Sequence, residues 1–241
     1  MEREIYDRIS TIEDRHWWFV GRRRILAAVI SRLSLPPNAN ILDAGCGTGG
    51  NLPMLGRFGK VCAFEPDDQA RDDAQAKGPF DIRPGFLPHN LPFEPGVFNL
   101  VTAFDSLEHM DQDTDCLAAL SHMLTTDGYL LATVPAYPFL WSHHDELHHH
   151  KRRYYKGKLA TITRAAGLRI CCLTYYNSLL FPAVAAMRLI KNALGIYSSD
   201  DIFPSPLLNH LLLALFTLER HTVCCLSHPP GISLLLLARR A

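Results

Sequence analysis

Short, continuous apolar runs alternate with amphipathic stretches along most of the chain, most clearly from Asn40 onward. The runs predict strands at Asn40–Ala44, Lys60–Glu65, Asp81–Arg83, Phe98–Phe104 and Tyr129–Pro135, since near-continuous apolar segments suit strands buried on both faces. Between them, helical periodicity predicts helices at Gly50–Phe58, Asp67–Ala76, Thr114–Leu124 and Lys158–Ala166. A leading helix is expected over Arg22–Leu33, closed by Pro36-Pro37 just before the first strand. This alternation implies a doubly wound α/β fold, a mostly parallel sheet covered by helices on both faces.

The end of the chain departs from the rhythm. Arg169–Tyr176 and Ile232–Ala238 read as strands six and seven, but two apolar helical patterns, Phe181–Leu194 and Leu207–Leu218, stand between them, joined by the loop Tyr197–Pro206. Four stretches of one domain follow: an N-terminal helical cap (1–35), a core (36–177), an apolar helical insert (178–228) and the last strand (229–241). In the first insert helix, Val184, Met187, Leu189 and Ile190 form the apolar side and leave Arg188 and Lys191 at its margin; the second is apolar almost all round. Arg188 and His210 interrupt both patterns, so neither approaches the roughly 18 uncharged apolar residues that a membrane span needs. A second small core, or a lid or interfacial patch beside the ligand cleft, is expected instead.

Charge changes this picture little. Acidic and basic residues balance at 24 each, which removes any global pull toward nucleic acid. The local clusters Arg22-Arg23-Arg24 and Lys151-Arg152-Arg153 suffice for one anionic group. The charged opening MEREIYDRISTIEDRH has no apolar core and is not a secretory signal. With an odd count of seven cysteines and no CxxC spacing, reduced thiols and a cytoplasmic location are expected, with membrane-peripheral contact through the insert as an option.

The chemistry concentrates at Ile41-Leu42-Asp43-Ala44-Gly45-Cys46-Gly47-Thr48-Gly49-Gly50, where a buried strand runs into glycines and then a helix. Gly45, Gly47 and Gly50 satisfy the dinucleotide pattern GxGxxG; Gly45, Gly47 and Gly49 behind Asp43 give DxGxGxG. A pyrophosphate would be repelled by an acidic side chain at the loop, whereas a ligand bearing an ammonium would not. Glu65 ends the second strand, where a carboxylate can accept both hydroxyls of a ribose. Cys46 reads as a small packed residue rather than a nucleophile.

The DxGxGxG segment resembles the first motif of class I S-adenosylmethionine-dependent methyltransferases. The resemblance runs from about Asn40 to Tyr154: Gly85 to Phe93 looks like the adenine-contacting stretch, and Asp105-Ser106-Leu107-Glu108-His109 like the LEH signature after strand four. Phe86 stands where many relatives carry Asp, which leaves backbone groups and Leu87 to read the adenine; Thr126-Asp127-Gly128 replaces the usual Pro-Gly-Gly turn. A bacterial group of such enzymes with poorly defined acceptors shares the leading HWWF and GRR and the pattern LWSxHDxxxxHxRRY. The resemblance implies a Rossmann-like seven-stranded sheet with an antiparallel last strand and S-adenosylmethionine as cofactor. It assigns cofactor contacts to Asp43, Gly45, Cys46, Gly47, Gly49, Glu65, Pro66, Leu87 and Asp105, with Trp18 and Arg22 from the leading stretch. The stretch Trp17-Trp18-Phe19 reads equally as core packing of the leading helix or as an aromatic lid over the cofactor.

On the acceptor side, His109, His150 and Asp145 are the catalytic candidates, since a histidine can take the proton of a hydroxyl near neutral pH. His144 and His148 have helical spacing, but Asp145 stands where a zincin carries Glu. Metal-dependent O-methyltransferases carry two acids, an adjacent His and a distant His, for which Asp105, Glu108, His109 and His150 are the matching residues here. A divalent metal is a lesser expectation than metal-free O-methylation of a small apolar or lipid-like acceptor. A cyclase or decarboxylase that retains the cofactor, or a non-catalytic cofactor-binding partner protein, is the alternative.

Overall fold

The computed structural model describes residues 3–196 and 203–240. In chain order it has α1 (Arg3–Ile12), α2 (Trp17–Ile30), β1 (Ala39–Ala44), α3 (Leu52–Leu55), β2 (Gly59–Phe64), α4 (Asp68–Gln75), β3 (Asp81–Arg83) and β4 (Phe98–Phe104). Then follow α5 (Asp113–Met123), β5 (Leu124–Pro135), α6 (His143–Leu147), α7 (Lys156–Ala165), β6 (Leu168–Tyr176), α8 (Phe181–Leu194), α9 (Pro206–Leu218) and β7 (Ser233–Arg240). The seven strands form one sheet in the order β3-β2-β1-β4-β5-β7-β6. All neighbours are parallel except β7, which runs antiparallel to both β5 and β6. This is the expected Rossmann-like topology. Strand order reverses between β1 and β4, so the crevice beyond their carboxyl ends is where such a sheet takes a ligand.

The apolar runs are continuous because each strand feeds two cores. In β7, Leu234 and Leu236 enter the layer that also holds Leu117, Leu120, Leu159 and Ile162 of α5 and α7. Leu235 and Leu237 enter the opposite layer with Ile25, Leu26, Leu52 and Phe216. A strand exposed on one face would show alternation instead.

Several helices differ from their sequence outlines. α1 lies ahead of the one helix outlined within the N-terminal stretch, and α2 starts at Trp17 because His16 caps it, its Nδ1 accepting from the Trp18 amide at 3.3 Å. α3 keeps only four of the nine expected residues: Pro53 suits a first turn, and Gly56 ends the helix soon after. The cysteine expectation also needs correction. Cys172 of β6 and Cys224, beyond α9, are joined as a disulfide, since the insert folds back over β6 and brings their Cα atoms to 5.7 Å.

In the insert, α9 packs along α2, where Phe216 is fully buried against Gly21 and stacks on Trp18 at 5.2 Å and 4°. A side chain at position 21 would collide with that ring. α8 is turned opposite to its outline: Arg188 is buried, while Leu189 and Ile190 face outward. The reason is that a ligand-sized cavity, not a closed core, lies behind its inner face. Of the expected loop 197–206, residues 197–202 lie outside the described residues. Among the described residues, no helix is long and apolar enough to cross a membrane.

Candidate active site

Beyond the carboxyl ends of β1 and β4 lies a cavity of about 430 Å³. Its floor is the glycine loop. Gly45, Gly47 and Gly49 all adopt positive φ, 74°, 54° and 80°, which only glycine takes without strain. Four of the loop's amides are taken up within the protein, whereas a helix-opening phosphate cradle requires free ones. Gly45 and Cys46 donate to the Phe64 carbonyl at 3.0 and 3.1 Å, Gly47 donates to Glu65 Oε2 at 3.0 Å, and Gly49 donates to the Cys46 carbonyl at 3.0 Å. With only the one-turn helix α3 behind it, this loop offers a pyrophosphate little.

Asp43 sits beneath the loop, 2% exposed, accepting from Thr102 Oγ1 at 2.7 Å. Burial pushes its carboxyl up to about 6, although the Thr102 bond and the nearby Arg22 charge pull the other way. Glu65, just past β2, is also raised by burial, against the Gly47 and Asp67 amides that donate to it. Tyr6 of α1 reaches Glu65 Oε1 from above at 3.4 Å. Glu13 accepts from Thr48 Oγ1 at 2.9 Å and pairs with Lys77 at 2.7 Å. Gly50 lies against the Glu13 carboxylate so closely that a Cβ there would overlap it. The N-terminal helix is thereby fastened to the glycine loop and roofs the cavity.

On the opposite wall, Asp105 ends β4 with φ 51°, an uncommon conformation for a non-glycine residue beside a cleft. It pairs with the buried Arg22 and accepts from Thr133 Oγ1 at 3.0 Å. The turn Leu107–His109 carries Glu108, fully buried, with neither carboxyl oxygen partnered among the described residues. Burial holds that carboxyl well above its usual range. Residues 148–153 fold across this turn through the Lys151 amide to the Glu108 carbonyl, 2.8 Å. His150 thus stands edge-on to His109 with ring centroids 4.9 Å apart. Burial, then the neighbouring His150, pulls His109 down to about 3, so it stays neutral.

Asp145 lies behind His150 and is fully buried at the start of α6. Its Oδ1 receives His150 Nδ1 and Arg153 Nε, each at 2.8 Å; its Oδ2 receives the Ser142 amide at 2.9 Å. Burial alone would raise this carboxyl, but the His150 bond and the Arg153 charge outweigh it and hold it well below the usual carboxylate range.

The cavity wall therefore gathers Trp18, Arg22, Gly45, Cys46, Gly47, Glu65, Pro66, Asp105, Glu108, His109 and His150 from the residues singled out in the sequence. Four do not line it. Asp43 is under the loop, Asp145 is behind His150, and Leu87 is buried in the core layer beneath β1 and β2. Gly49 is required by packing, since a Cβ would meet Ala74 at 2.8 Å. Asp105 is not among the clustered metal-ligating atoms: Glu108, His109 and His150 offer atoms within 4.8 Å of one another, whereas Asp105 is turned to Arg22 and Thr133. Cys46 is buried, and burial raises its thiol. Trp18 is stacked on Phe216 and Tyr176 and also lines the cavity. Sequence reasoning missed Tyr6, Glu13 and the inward Arg188. Tyr6 and Ile9 share a face of α1, and Glu13 follows just past its end, a pattern readable within the charged opening.

The family described as a methyltransferase domain matches residues 19–173, from α2 into β6. No curated protein matches the chain. Among solved structures, a chain of the complex between the Haloferax volcanii Trm112 methyltransferase activator and a candidate methyltransferase is similar with a TM-score of 0.66 and 17% identity, over 98% of this chain and 94% of that one. Geranyl diphosphate C-methyltransferase from Streptomyces coelicolor gives 0.60 and 15%, over 90% and 78%. The [4+2]-cyclase SpnF gives 0.59 and 19%, over 92% and 82%. At such identities the likeness is one of fold, and the fold carries more than one chemistry.

Proposed function

The chain belongs to the methyltransferase-domain family, and from that premise we propose that it binds S-adenosylmethionine over the glycine loop and directs its methyl group to an oxygen of a small apolar or lipid-like acceptor. The observation that carries this reading is one cavity joining two kinds of group: Glu65 and the glycine loop at one end, the Asp145–His150 pair beside His109 at the other. Glu65 accepts the ribose hydroxyls, Asp43 beneath the loop favours an ammonium over a phosphate, and Arg22 offers a guanidinium to a carboxylate. The bound cofactor supplies an electrophilic methyl carbon on a sulfonium. His150, held by Asp145 through Nδ1, presents Nε2 to take the acceptor hydroxyl's proton. Trp18, α1 and α8 exclude water and fix the alignment that an in-line displacement demands.

Isothermal titration tests the binding half. S-adenosylhomocysteine should bind in the micromolar range, about −8 kcal/mol, and Glu65→Ala should weaken it by about 1–3 kcal/mol through lost charge-assisted hydrogen bonds. Tight NAD binding without response to S-adenosylhomocysteine would overturn the assignment. Transfer of label from methyl-labelled cofactor in a lysate of the native cell tests the rest: binding without transfer would indicate a cyclase, a decarboxylase or a non-catalytic partner.

Glu108 carries a second reading. A fully buried carboxyl without a partner, grouped with His109 and His150, suits a divalent cation that would hold the acceptor oxygen as an anion. Activity lost to a chelator and regained with magnesium, manganese or zinc would support it; activity indifferent to the chelator would leave the histidine base alone. The outward sides of α8 and α9 expose Leu189, Ile190, Leu207 and Leu211, which supports an acceptor drawn from a lipid phase. Liposome flotation measures that contact.

A further inference from the structure

We propose that the surface made by α8 and the aromatic cluster around Tyr137 docks on a lipid bilayer with anionic headgroups, α8 lying against the acyl chains and Lys156 and Lys158 at the headgroups. The proposal deepens the methyl-transfer reading, on which it rests for the lipid-like acceptor that enters from such a surface. The docking itself is measured without it.

Both insert helices are turned inside out. Nine residues of α8 are exposed, and all but Asn192 are apolar, with Leu189, Ile190 and Leu194 at 48%, 57% and 68%. Asn192 is tied back to the Trp141 carbonyl at 2.6 Å, and Arg188 is buried. In α9 the polar Asn209 and Thr217 are buried, while Leu207, Leu208 and Leu211 are exposed. Asn209 spends its carboxamide inward, accepting from the Trp17 amide at 2.9 Å and donating to the Arg15 carbonyl at 3.0 Å. A helix that faces water shows the opposite distribution, and a continuous aliphatic face marks contact with something apolar.

The chemistry of the face selects its partner. A protein interface seats aromatic or arginine anchors and makes about one hydrogen bond per 100–200 Å². The outward side of α8 offers Ala, Met, Leu and Ile, which direct no bond. Acyl chains require none. Since no helix among the described residues is long and apolar enough to cross a membrane, α8 lies along the surface of one.

Beside α8 stands the group that a bilayer interface favours. Tyr137, just past β5 with φ 60°, stacks on Tyr175 at 5.2 Å and 12°, and meets Phe139 at 5.1 Å and Phe181 of α8 at 5.6 Å. Phe139 and Tyr155 are each half exposed. Rings with an apolar body and a hydroxyl tip settle at headgroup level. Lys156 reaches over the Tyr175 ring at 5.9 Å, and Lys158 follows it, exposed. From Leu147 to Ser199 the chain holds nine Lys or Arg and no Asp or Glu; Lys151, Arg152 and Arg153 pair with acids from elsewhere. The segments that build this face therefore bring no carboxylate, which suits an anionic surface, and each lysine near such a surface is worth about fivefold in binding. Met187, exposed on α8, also lines the cavity, so the cavity opens through the docking face and an acceptor can enter without crossing water.

The test is sedimentation of the full chain with sucrose-loaded vesicles, made of phosphatidylcholine alone or mixed with phosphatidylglycerol. The mixed vesicles should bind about tenfold or more tighter than the neutral ones, and the gap should close as salt is raised. Lys156→Glu with Lys158→Glu should bring the mixed vesicles to within about threefold of the neutral ones. Leu189→Asp with Ile190→Asp should weaken binding to both by about tenfold or more, the neutral vesicles separating lost burial from added negative charge. Thermal midpoints should hold, since Leu189, Ile190 and Lys158 are exposed. The proposal is overturned if wild type binds neither vesicle, if it binds both equally, or if binding survives Leu189→Asp with Ile190→Asp. A dimer in solution that the same variant dissociates would give the face to a second copy and overturn it as well. Should a variant lose its thermal transition, the wild-type ranking and its salt dependence decide. Vesicle binding by a chain that fails to bind S-adenosylhomocysteine in titration would sink the methyl-transfer reading and leave the docking; the reverse would sink the docking alone.

Discussion

Replacing Asp43 with asparagine should stabilise the cofactor-free protein at neutral pH while loosening its hold on the cofactor. The carboxyl is 2% exposed, and one of its oxygens is buried without a partner, so its ionisation is resisted: the folded value is about 6 against 3.8 for an unperturbed carboxyl. Between those values the folded chain keeps a proton that the unfolded chain has released. Stability therefore declines as pH rises through the window, and the loss is complete above the folded value. Two pH units at about 1.4 kcal/mol each give a penalty of about 3 kcal/mol at pH 7 and above. Asparagine keeps the oxygen that accepts from Thr102 and never ionises. Urea unfolding of wild type and Asp43→Asn from pH 4 to pH 8 measures the difference directly, since every other titrating group is common to both. The curves should meet near pH 4 and separate to about 1–3 kcal/mol in favour of the variant by pH 8. A difference independent of pH, or a variant less stable at pH 8, would refute the reasoning.

Other outcomes follow from particular contacts. Gly50→Ala should detach α1 from the glycine loop, because the new methyl overlaps the Glu13 carboxylate; faster proteolysis ahead of His16 and weaker S-adenosylhomocysteine binding would show it. Phe216→Asp should cost more than about 3–5 kcal/mol, the price of deleting such a ring alone, because Phe216 is fully buried on Trp18. Leu211→Asp, at a position 54% exposed, should leave the thermal midpoint nearly unchanged and reduce liposome co-flotation. Asp145→Asn should lower turnover by about 10²–10⁴ and shift its pH profile while cofactor affinity holds, since His150 loses the carboxylate that orients it.

The sheet was legible because its strands are buried on both faces, and burial of that kind writes itself as uninterrupted apolar runs such as Leu234 to Leu237. The glycine loop and Glu65 were legible because backbone conformation restricts residue choice locally. What sequence did not disclose depends on partners distant in the chain. The loop amides are taken up by Phe64 of the neighbouring strand. The inward turn of Arg188 answers to a cavity, and a periodicity argument sees only apolar neighbours. Asp145 was chosen from a motif, but its link to Arg153 requires the loop to fold back on itself. The Cys172–Cys224 bridge joins residues whose spacing resembles no disulfide framework. α1 had no outline of its own within the N-terminal cap because Tyr6 and Ile9, its cavity-facing residues, stand among charged neighbours.

The placement of β7 between β5 and β6 bears on the order in which the molecule can assemble during synthesis. β6 is hydrogen-bonded to β7 alone within the sheet. When β6 leaves the ribosome it has no edge to join, since β5 is reserved for a strand still to be made. The whole insert must then emerge before residues 233–240 arrive to bridge the gap. Until that moment β6 and its leucine-rich sequel wait with their apolar faces unshielded, a window in which a nascent chain is open to chaperones or to aggregation. A chain cut ahead of β7 would accordingly lose the attachment of β6 and the footing of α8 along with the last strand itself.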